Sequence, residues 1–544
     1  MSSLNLLVLK EGINQLLHRE MTRICFVALS LAVLLSVFSL ARADLPVHCE
    51  HSQALGEWVF HLSASNLAAT FPSAKCENFD VKTTLKLTLQ LPNVAVDSAG
   101  HKGTFTLIYD EGVEVRIHGR KYFAFFKHTV DEKVHGLFRF RSYCHRTETG
   151  TFHNNEGSQW GCFTAQKVVN PDQLTSVSAE GSQNWHLCGS QKSQVDCSSV
   201  TGSKLLSEIQ EASLMALVLS GDLPARDDSE LFSQDSSMIS DINDLKLSWK
   251  AASYPEFHTK TIGEMRHLSG ASPVRSVAVE DDIVLLESSQ GQTLDDLLKN
   301  MPKSWDWRNV DGVNYMFDVT NQGSCGSCFA VSTVDMIQTR IAIATKNKVR
   351  QQLSVQDLLE CGTMYVQACQ GGFPYLASKF TQDFGLGLNS ENEYNPNSIK
   401  KCNSSKLVHA SGRARVADYH YVNGYYGGKF RLENVRDMML EIQNNGPIVV
   451  GIEAPPMLFA FQSGVFDHRG LKNYKETSSK FEPANHAVLC SGWGETESGQ
   501  KYWLIKNSWG AGWGENGYFR IPRGEMFINV ENMPVAAKVV PPSV

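Results

Sequence analysis

The stretch Asn321–Ser332, NQGSCGSCFAVS, constrains this chain more than any other, because it prescribes a tight loop that delivers a cysteine to the start of an apolar helix. Gly323 and Gly326 supply the tightness. From Cys328 onward, Phe329, Ala330, Val331, Val334, Met336, Ile337 and Ile341 recur at three- and four-residue intervals, which predicts a helix burying one face. A thiol at a helix N-terminus meets unpaired backbone N–H groups and the positive end of the helix dipole, which lower its pKa from about 8.5 to between about 3.5 and 7.5. Cys328 is therefore the candidate nucleophile. Gln322, just upstream, is placed for its amide to join the Cys328 backbone N–H in an oxyanion hole. On the Cys325–Cys328 spacing alone, a structural disulfide, a metal pair or a redox pair is equally admissible.

A thiol nucleophile needs a base and a group that orients the base. NHAVL at 485–489 puts His486 at the entry of an apolar run that reads as a buried strand, and KNSWG at 506–510 offers Asn507. A lone histidine beside a strand is ordinarily a packing or surface residue, but here three pieces occur in an order compatible with one site. QGSCGSC, NHAVL with the following GWG, and KNSWGAGWGENGYF together resemble the papain family of cysteine peptidases. The resemblance implies an α+β, two-lobed peptidase, with a helical lobe built from the Cys328 helix and a β-rich lobe carrying His486 and Asn507. In that family Trp or Tyr follows the cysteine, and histidine and asparagine lie about 130 to 150 residues downstream. This chain has Phe329 instead, and His486 lies beyond that spacing, which points to an insertion at the polar stretch His468–Pro483. The implied roles are Cys328 as attacking thiolate and His486 as its imidazolium partner and later acid. Asn507 would orient the ring, Trp509 would shield that hydrogen bond, and Gln322 would stabilise the oxyanion.

SWDWRNVDGVNY at 304–315, CQGGFPYLASKFTQDFGL at 369–386 and DYHYVNGYYGG at 418–428 narrow the resemblance to the cathepsin C, or dipeptidyl peptidase I, group of that family. LGEWVF at 55–60, GTFTLIY at 103–109, YFAFFK at 122–127 and WGCFT at 160–164 are similar to that group's exclusion domain. By this resemblance Gly371 and Gly372 let substrate backbone approach, Met533 lies at the base of the second subsite, and Phe373, Tyr375 and Tyr421 bind a chloride ion beside it. Without the resemblance those aromatics read as a core cluster. A homotetramer is a further implication.

The N-terminal region supports the same plan from its residues alone. Alternating runs such as TLKLTL at 84–89 and TFTL at 104–107, separated by Gly, Asn and Asp, predict antiparallel strands of a small barrel or sandwich. Residues 21–43 combine Arg23, an apolar run from Ile24 to Leu40 and the small-residue pattern Ala41-Arg42-Ala43, which reads as a secretory leader. A membrane anchor is the alternative, since the run is near the lower limit for a span. Residues 1–20 read either as an upstream start that is not used or as a real extension. Cleavage after Ala43 makes Asp44 the new N-terminus, and in the cathepsin C group an aspartate there holds the substrate's free α-amino group. Asp44 is thus expected to restrict the enzyme to removing dipeptides.

Thirteen cysteines behind a leader imply an oxidising compartment with several bridges. The resemblance pairs Cys325 with Cys369, Cys361 with Cys402, Cys49 with Cys144 and Cys76 with Cys162. It leaves Cys328 and Cys490 as thiols, and Cys188 with Cys197 as an extra loop. Asn403-Ser404-Ser405 is a glycosylation sequon. The expected organisation is an exclusion domain at 44–170, a Ser-, Gln- and Asp-rich linker at 171–241 and a propeptide at 242–300. The peptidase follows at 301–544, and cuts near Met301 and Lys472 by activating peptidases complete maturation. A net charge of −7 leaves no nucleic-acid footprint. Leader and ion-paired site together fit a lysosome-like acidic compartment or secretion. The competing readings are a papain-like endopeptidase and an inactive peptide-binding shell.

Overall fold

The computed structural model describes residues 49–65, 76, 78–134, 137–168, 230–234, 236–268, 292–403, 407, 412–422, 424–426, 432–469 and 486–540. Asp44, the leader, the 1–20 extension, Cys188 and Cys197, most of the linker and the Lys472 cut lie outside the described residues.

The alternating N-terminal runs form nine antiparallel strands: β1 (Gly56–Leu62), β2 (Thr83–Gln90), β3 (Val94–Asp97), β4 (Lys102–Ile108), β5 (Gly112–Ile117), β6 (Arg120–Val134), β7 (Leu137–Thr147), β8 (Gly150–Asn154) and β9 (Trp160–Lys167). Of the two predicted forms, the barrel is the one observed. Strands β1 to β6 pair in sequence, β6 pairs β8, β8 pairs β9, and β9 returns to β1, which closes an eight-stranded ring with β7 outside it. Closure leaves the ring without an open edge, and the period of two sends Phe60, Leu87, Leu89, Phe105, Leu107 and Phe163 into its core. Disulfides Cys49–Cys144 and Cys76–Cys162 tie the segments before β1 and before β2 to strands β7 and β9.

The remaining strands are β10 (Trp249–Ala251), β11 (Trp305–Asp306), β12 (Arg415–Tyr421), β13 (Ile448–Ile452), β14 (Phe461–Gly464), β15 (His486–Glu495), β16 (Lys501–Lys506), β17 (Tyr518–Pro522) and β18 (Val535–Val540). A seven-stranded sheet runs β12-β18-β13-β15-β16-β17, with β11 against β15. The helices Cys328–Ala344, Val355–Cys361 and Pro374–Phe384 form the other lobe. The Cys328 helix was expected to bury one face, yet every residue from Cys328 to Ala342 is buried. Its polar members are the reason that periodicity misjudged it, because Ser332, Thr333, Asp335, Gln338 and Arg340 find partners inside the protein. The Arg340 guanidinium donates to the carbonyls of Pro447 at 2.9 Å, Ala537 at 2.8 Å and Gly446 at 3.1 Å, and pairs with Glu441. Asp335 receives the Lys506 ammonium.

The barrel is seated on the peptidase by stacking and by charge. Tyr109 stacks on Phe373 with centroids 3.8 Å apart, and Leu107 makes a main-chain bridge with Tyr426. Arg116 binds Glu114 at 2.7 Å and Asp418 at 2.9 Å, and the Lys121 ammonium reaches Asp418 at 2.7 Å. Burial alone would raise the Glu114 carboxyl, but Arg116, Lys121 and Lys379 overcome it and hold the pKa at about 2. Its oxygens accept the hydroxyls of Tyr375 at 3.2 Å and Tyr419 at 2.5 Å.

Residues 230–268 lie against the β-rich lobe. Strand β10 pairs with β14, and the Trp249 indole donates to the Asp467 carbonyl at 2.9 Å. This packed stretch reaches back before the expected boundary at 242. Gln234 sits in the polar linker composition, yet it is 8 % exposed, and its amide bridges Phe459 to the Tyr254 backbone. Among the described residues no helix is long and apolar enough to cross a membrane.

Candidate active site

Cys328 opens its helix directly after the glycine loop, and the N-cap residue Ser327 makes no side-chain cap. The Ser327 hydroxyl is instead held by Tyr394 at 2.7 Å, so the first N–H groups of the helix are not taken by it. Cys325, the partner in the ambiguous CxxC, is bonded to Cys369, which leaves Cys328 a buried thiol. The other predicted peptidase bridge, Cys361–Cys402, is present, and Asn403 beside it is exposed. Cys490 is a buried thiol, and burial pushes its pKa far up.

His486 is the first residue of β15, and the next backbone N–H, that of Ala487, points at the Cys328 sulfur at 3.4 Å. The strand therefore carries the imidazole to the thiol. Nε2 of His486 lies 2.8 Å from Asn507 Oδ1, which also accepts the Ser508 N–H. An oxygen that can only accept assigns the ring proton to Nε2 and leaves Nδ1 as the basic nitrogen. Nδ1 is buried without a hydrogen-bond partner, as a base awaiting a thiol proton would be. Trp509 stacks on the ring at 5.0 Å and 21°. Asn507 immediately follows β16, the neighbour of β15, so pairing between adjacent strands sets the His–Asn distance.

Gln322 is fully buried and fixed from three sides. Its Oε1 accepts the Ser508 hydroxyl at 2.5 Å, its backbone N–H donates to the Ser508 carbonyl, and its carbonyl accepts the Tyr394 hydroxyl. Its Nε2 donates to the Cys325 carbonyl at 3.0 Å and faces the His267 carbonyl at 3.5 Å. The adjacent Leu268 carbonyl accepts the Trp509 indole N–H at 3.2 Å. The 230–268 segment thus crosses the site and sets a main-chain carbonyl before the amide.

Gly371 adopts φ +119°, and Gly372 lies so close to Phe329 that an added Cβ would come within 2.8 Å of its ring. Gly372 is therefore required by inward packing on the residue after the nucleophile, a reason the sequence did not reveal. The hydroxyl of Tyr375 is taken by Glu114 of the barrel, whereas that of Tyr421 is buried without a well-formed hydrogen bond. Met533 is buried in the loop before β18, where the Pro534 carbonyl accepts the Val422 N–H beside Tyr421.

Comparison with known proteins agrees with this geometry. Residues 301–538 match the papain family cysteine protease model and residues 44–167 the cathepsin C exclusion domain model. A cathepsin C of Schistosoma mansoni is 30% identical over 508 residues, 92% of this chain and 97% of that protein. The chain belongs to the cathepsin C group of papain-family cysteine peptidases. Dipeptidyl aminopeptidase 1 of Plasmodium falciparum is 30% identical over 43% of this chain and 44% of its own length. A KDEL-tailed cysteine endopeptidase of Arabidopsis thaliana is 36% identical over 42% of this chain and 55% of its own.

The residues that motif reading missed in this cathepsin C-type site are Tyr109, Ser508 and Tyr394. Tyr109 has φ +51°, which is rare for an aromatic residue, and its hydroxyl approaches the Tyr375 N–H and the Tyr421 side chain. Nothing local in the sequence marks that conformation.

The imidazolium expected at His486 is not favoured in this covered form. Complete burial pushes the imidazole down to about 4, with the Asn507 hydrogen bond offsetting only part of the effect. A ring whose pKa is lower when covered than when exposed binds fewer protons in the covered form, so covering weakens as pH falls. The loss sets in as pH falls below the ordinary imidazole range and is complete below about 4. Glu264, held below its ordinary pKa by the Thr261 N–H and the Ser324 hydroxyl, loses its own contribution as it protonates and so acts in the same direction. Amide hydrogen exchange of residues 230–268, corrected for intrinsic rates, should therefore accelerate as pH falls through this window. A flat corrected profile would contradict the assignment.

Proposed function

We propose that this cathepsin C-type peptidase is a dipeptidyl aminopeptidase, with Asp44 holding the substrate's free ammonium. The observation that carries this reading is the seat of the barrel against the Gly371–Phe373 rim. The Cys49 N–H donates to the Asp110 carbonyl at 2.8 Å, next to the Tyr109 that stacks on Phe373. Asp44 precedes Cys49 by five residues, a span of at most about 17 Å of chain, so a new N-terminus beginning there is within reach of the rim.

With the cleft uncovered, His486 Nδ1 takes the Cys328 proton, and the thiolate attacks the second peptide carbonyl of the substrate. Gln322 Nε2 and the Cys328 N–H stabilise the oxyanion, and the imidazolium protonates the departing amine. Water, deprotonated by the same imidazole, then hydrolyses the thioester and releases the dipeptide. The 230–268 segment acts as part of a propeptide that blocks this attack, and activating peptidases remove it. Phe373, Tyr375 and Tyr421 would hold a chloride ion. The Tyr421 hydroxyl and the Tyr375 backbone N–H would be its donors, since the Tyr375 hydroxyl is engaged by Glu114, and the ion would take the place of the Tyr109 hydroxyl that approaches both. When bound, the ion would supply a fixed negative charge at the second subsite. A lysosome-like or secretory compartment and a homotetramer complete the reading.

Matched dipeptide amides with free and acetylated amines test it. The free amine should be preferred by roughly tenfold to a hundredfold in kcat/KM, the worth of a charge-assisted hydrogen bond of about 1.5–3 kcal/mol. Equal rates would leave an endopeptidase. Failure of a peptidyl vinyl sulfone to label Cys328 in processed protein would leave a peptide-binding shell.

A further inference from the structure

We propose that Asp97, His101 and His118, on the barrel surface, form a binding site for a divalent transition-metal ion, with zinc as the representative ligand. Asp97 ends β3, His101 closes the turn before β4, and His118 lies in the turn between β5 and β6. Two separate hairpins thus bring their side chains to one point. His101 Nδ1 stands 2.8 Å from Asp97 Oδ2, and His118 Nε2 stands 2.9 Å from the same oxygen. The three donor atoms lie within 4.8 Å of one another. The imidazole rings are 5.3 Å apart and nearly perpendicular, at 88°, so their lone pairs converge without the rings stacking.

The carboxylate is held as a ligand needs to be held. Its other oxygen, Oδ1, accepts the backbone N–H groups of Ala99 at 2.9 Å and His101 at 2.8 Å, which fixes the plane and aims Oδ2 at the two imidazoles. The Asp97 side chain is 8 % exposed while His101 and His118 are 67 % and 40 % exposed. A covered, oriented carboxylate is thereby flanked by two nitrogens that solvent ions can reach.

Two imidazoles and one carboxylate suit zinc, whose bonds of about 2.0–2.2 Å to N and O require ligand atoms slightly farther apart than these hydrogen bonds. The exposed histidines have room to open by that amount. The ion takes the positions on Nδ1 of His101 and Nε2 of His118 that face Oδ2, a neutral ring moving its single proton to its other nitrogen and an imidazolium releasing its second proton to water. Water would fill the remaining position. His118 has φ +55°, so its turn already presents the side chain toward the neighbouring hairpin without needing the metal to fold it.

The proposal is tested by titrating Zn²⁺ into the processed protein, barrel included, with its active-site thiol blocked by a peptidyl vinyl sulfone, which removes zinc capture by Cys328. Calorimetry should show a site of one zinc per chain that is weakened tenfold or more in His101→Ala and again in His118→Ala, and abolished in the double variant. Asp97→Asn should weaken it as well. Because both histidines are exposed, their removal should leave the barrel folded, checked by an unchanged far-ultraviolet circular dichroism spectrum. Zinc binding unchanged in the double variant, or no zinc binding by the parent protein, would overturn the site.

Discussion

Gln322→Ala should lower kcat by about 100- to 1000-fold on a free-amine dipeptide substrate, with KM changed by a much smaller factor. The expectation rests on how the amide is held rather than on its presence alone. The Ser508 hydroxyl fixes Oε1, and main-chain bonds to Ser508 and from Tyr394 fix the backbone, so Nε2 is aimed before substrate arrives. A donor that costs no reorganisation contributes mainly where charge develops, in the transition state. Its removal should therefore appear in kcat. Steady-state kinetics of the fully processed enzyme would show this, and Ser508→Ala, which loosens the amide without deleting it, should lose less. A large rise in KM at constant kcat would instead make Gln322 a ground-state binding residue.

Asp383→Asn should destabilise the protein by about 3–5 kcal/mol, read as a lower urea midpoint. Asp383 lies in the helix Pro374–Phe384, facing the barrel. Its Oδ2 receives the Lys379 ammonium at 3.0 Å and the Tyr365 hydroxyl at 2.7 Å, and its Oδ1 stands 3.4 Å from Nε2 of His153 in β8. Lys379 and Asp383 are each 0 % exposed. The amide keeps the shape of the carboxylate but removes its charge, leaving a cation buried without its ion-pair partner, and that desolvation is what makes the loss large. Replacing Lys379 by Met in the same chain should recover most of the midpoint, because the uncompensated charge is then gone. If Asp383→Asn alone shifts the midpoint by no more than a surface substitution would, the pair carries no such load.

The catalytic group was largely legible from sequence because its geometry is local. Cys328 sits where a glycine loop meets a helix, His486 where a strand begins, and Asn507 where the next strand ends, and each of these is a short-range pattern. The barrel was legible from alternation, though alternation is silent on whether a sheet closes, which left the sandwich open. The Cys328 helix was misjudged because its buried polar residues find partners in β16, β18 and the segment between the Leu432–Asn445 helix and β13, far away in sequence. The packing of residues 230–234 was missed for the same reason, since a buried glutamine looks like a linker residue until its partners are known.

The sequence by itself therefore singled out Cys328, His486 and Asn507 as one candidate group, since each is marked by residue type at chain positions a few residues wide. Tertiary structure alone decided what surrounds that chemistry. The Arg116–Asp418 and Tyr109–Phe373 contacts that seat the barrel, the carbonyl that stands before Gln322, and the burial that keeps His486 neutral join residues tens to hundreds of positions apart. Desolvation and interdomain charge pairing are properties of assembled surfaces, and no local stretch of chain encodes them.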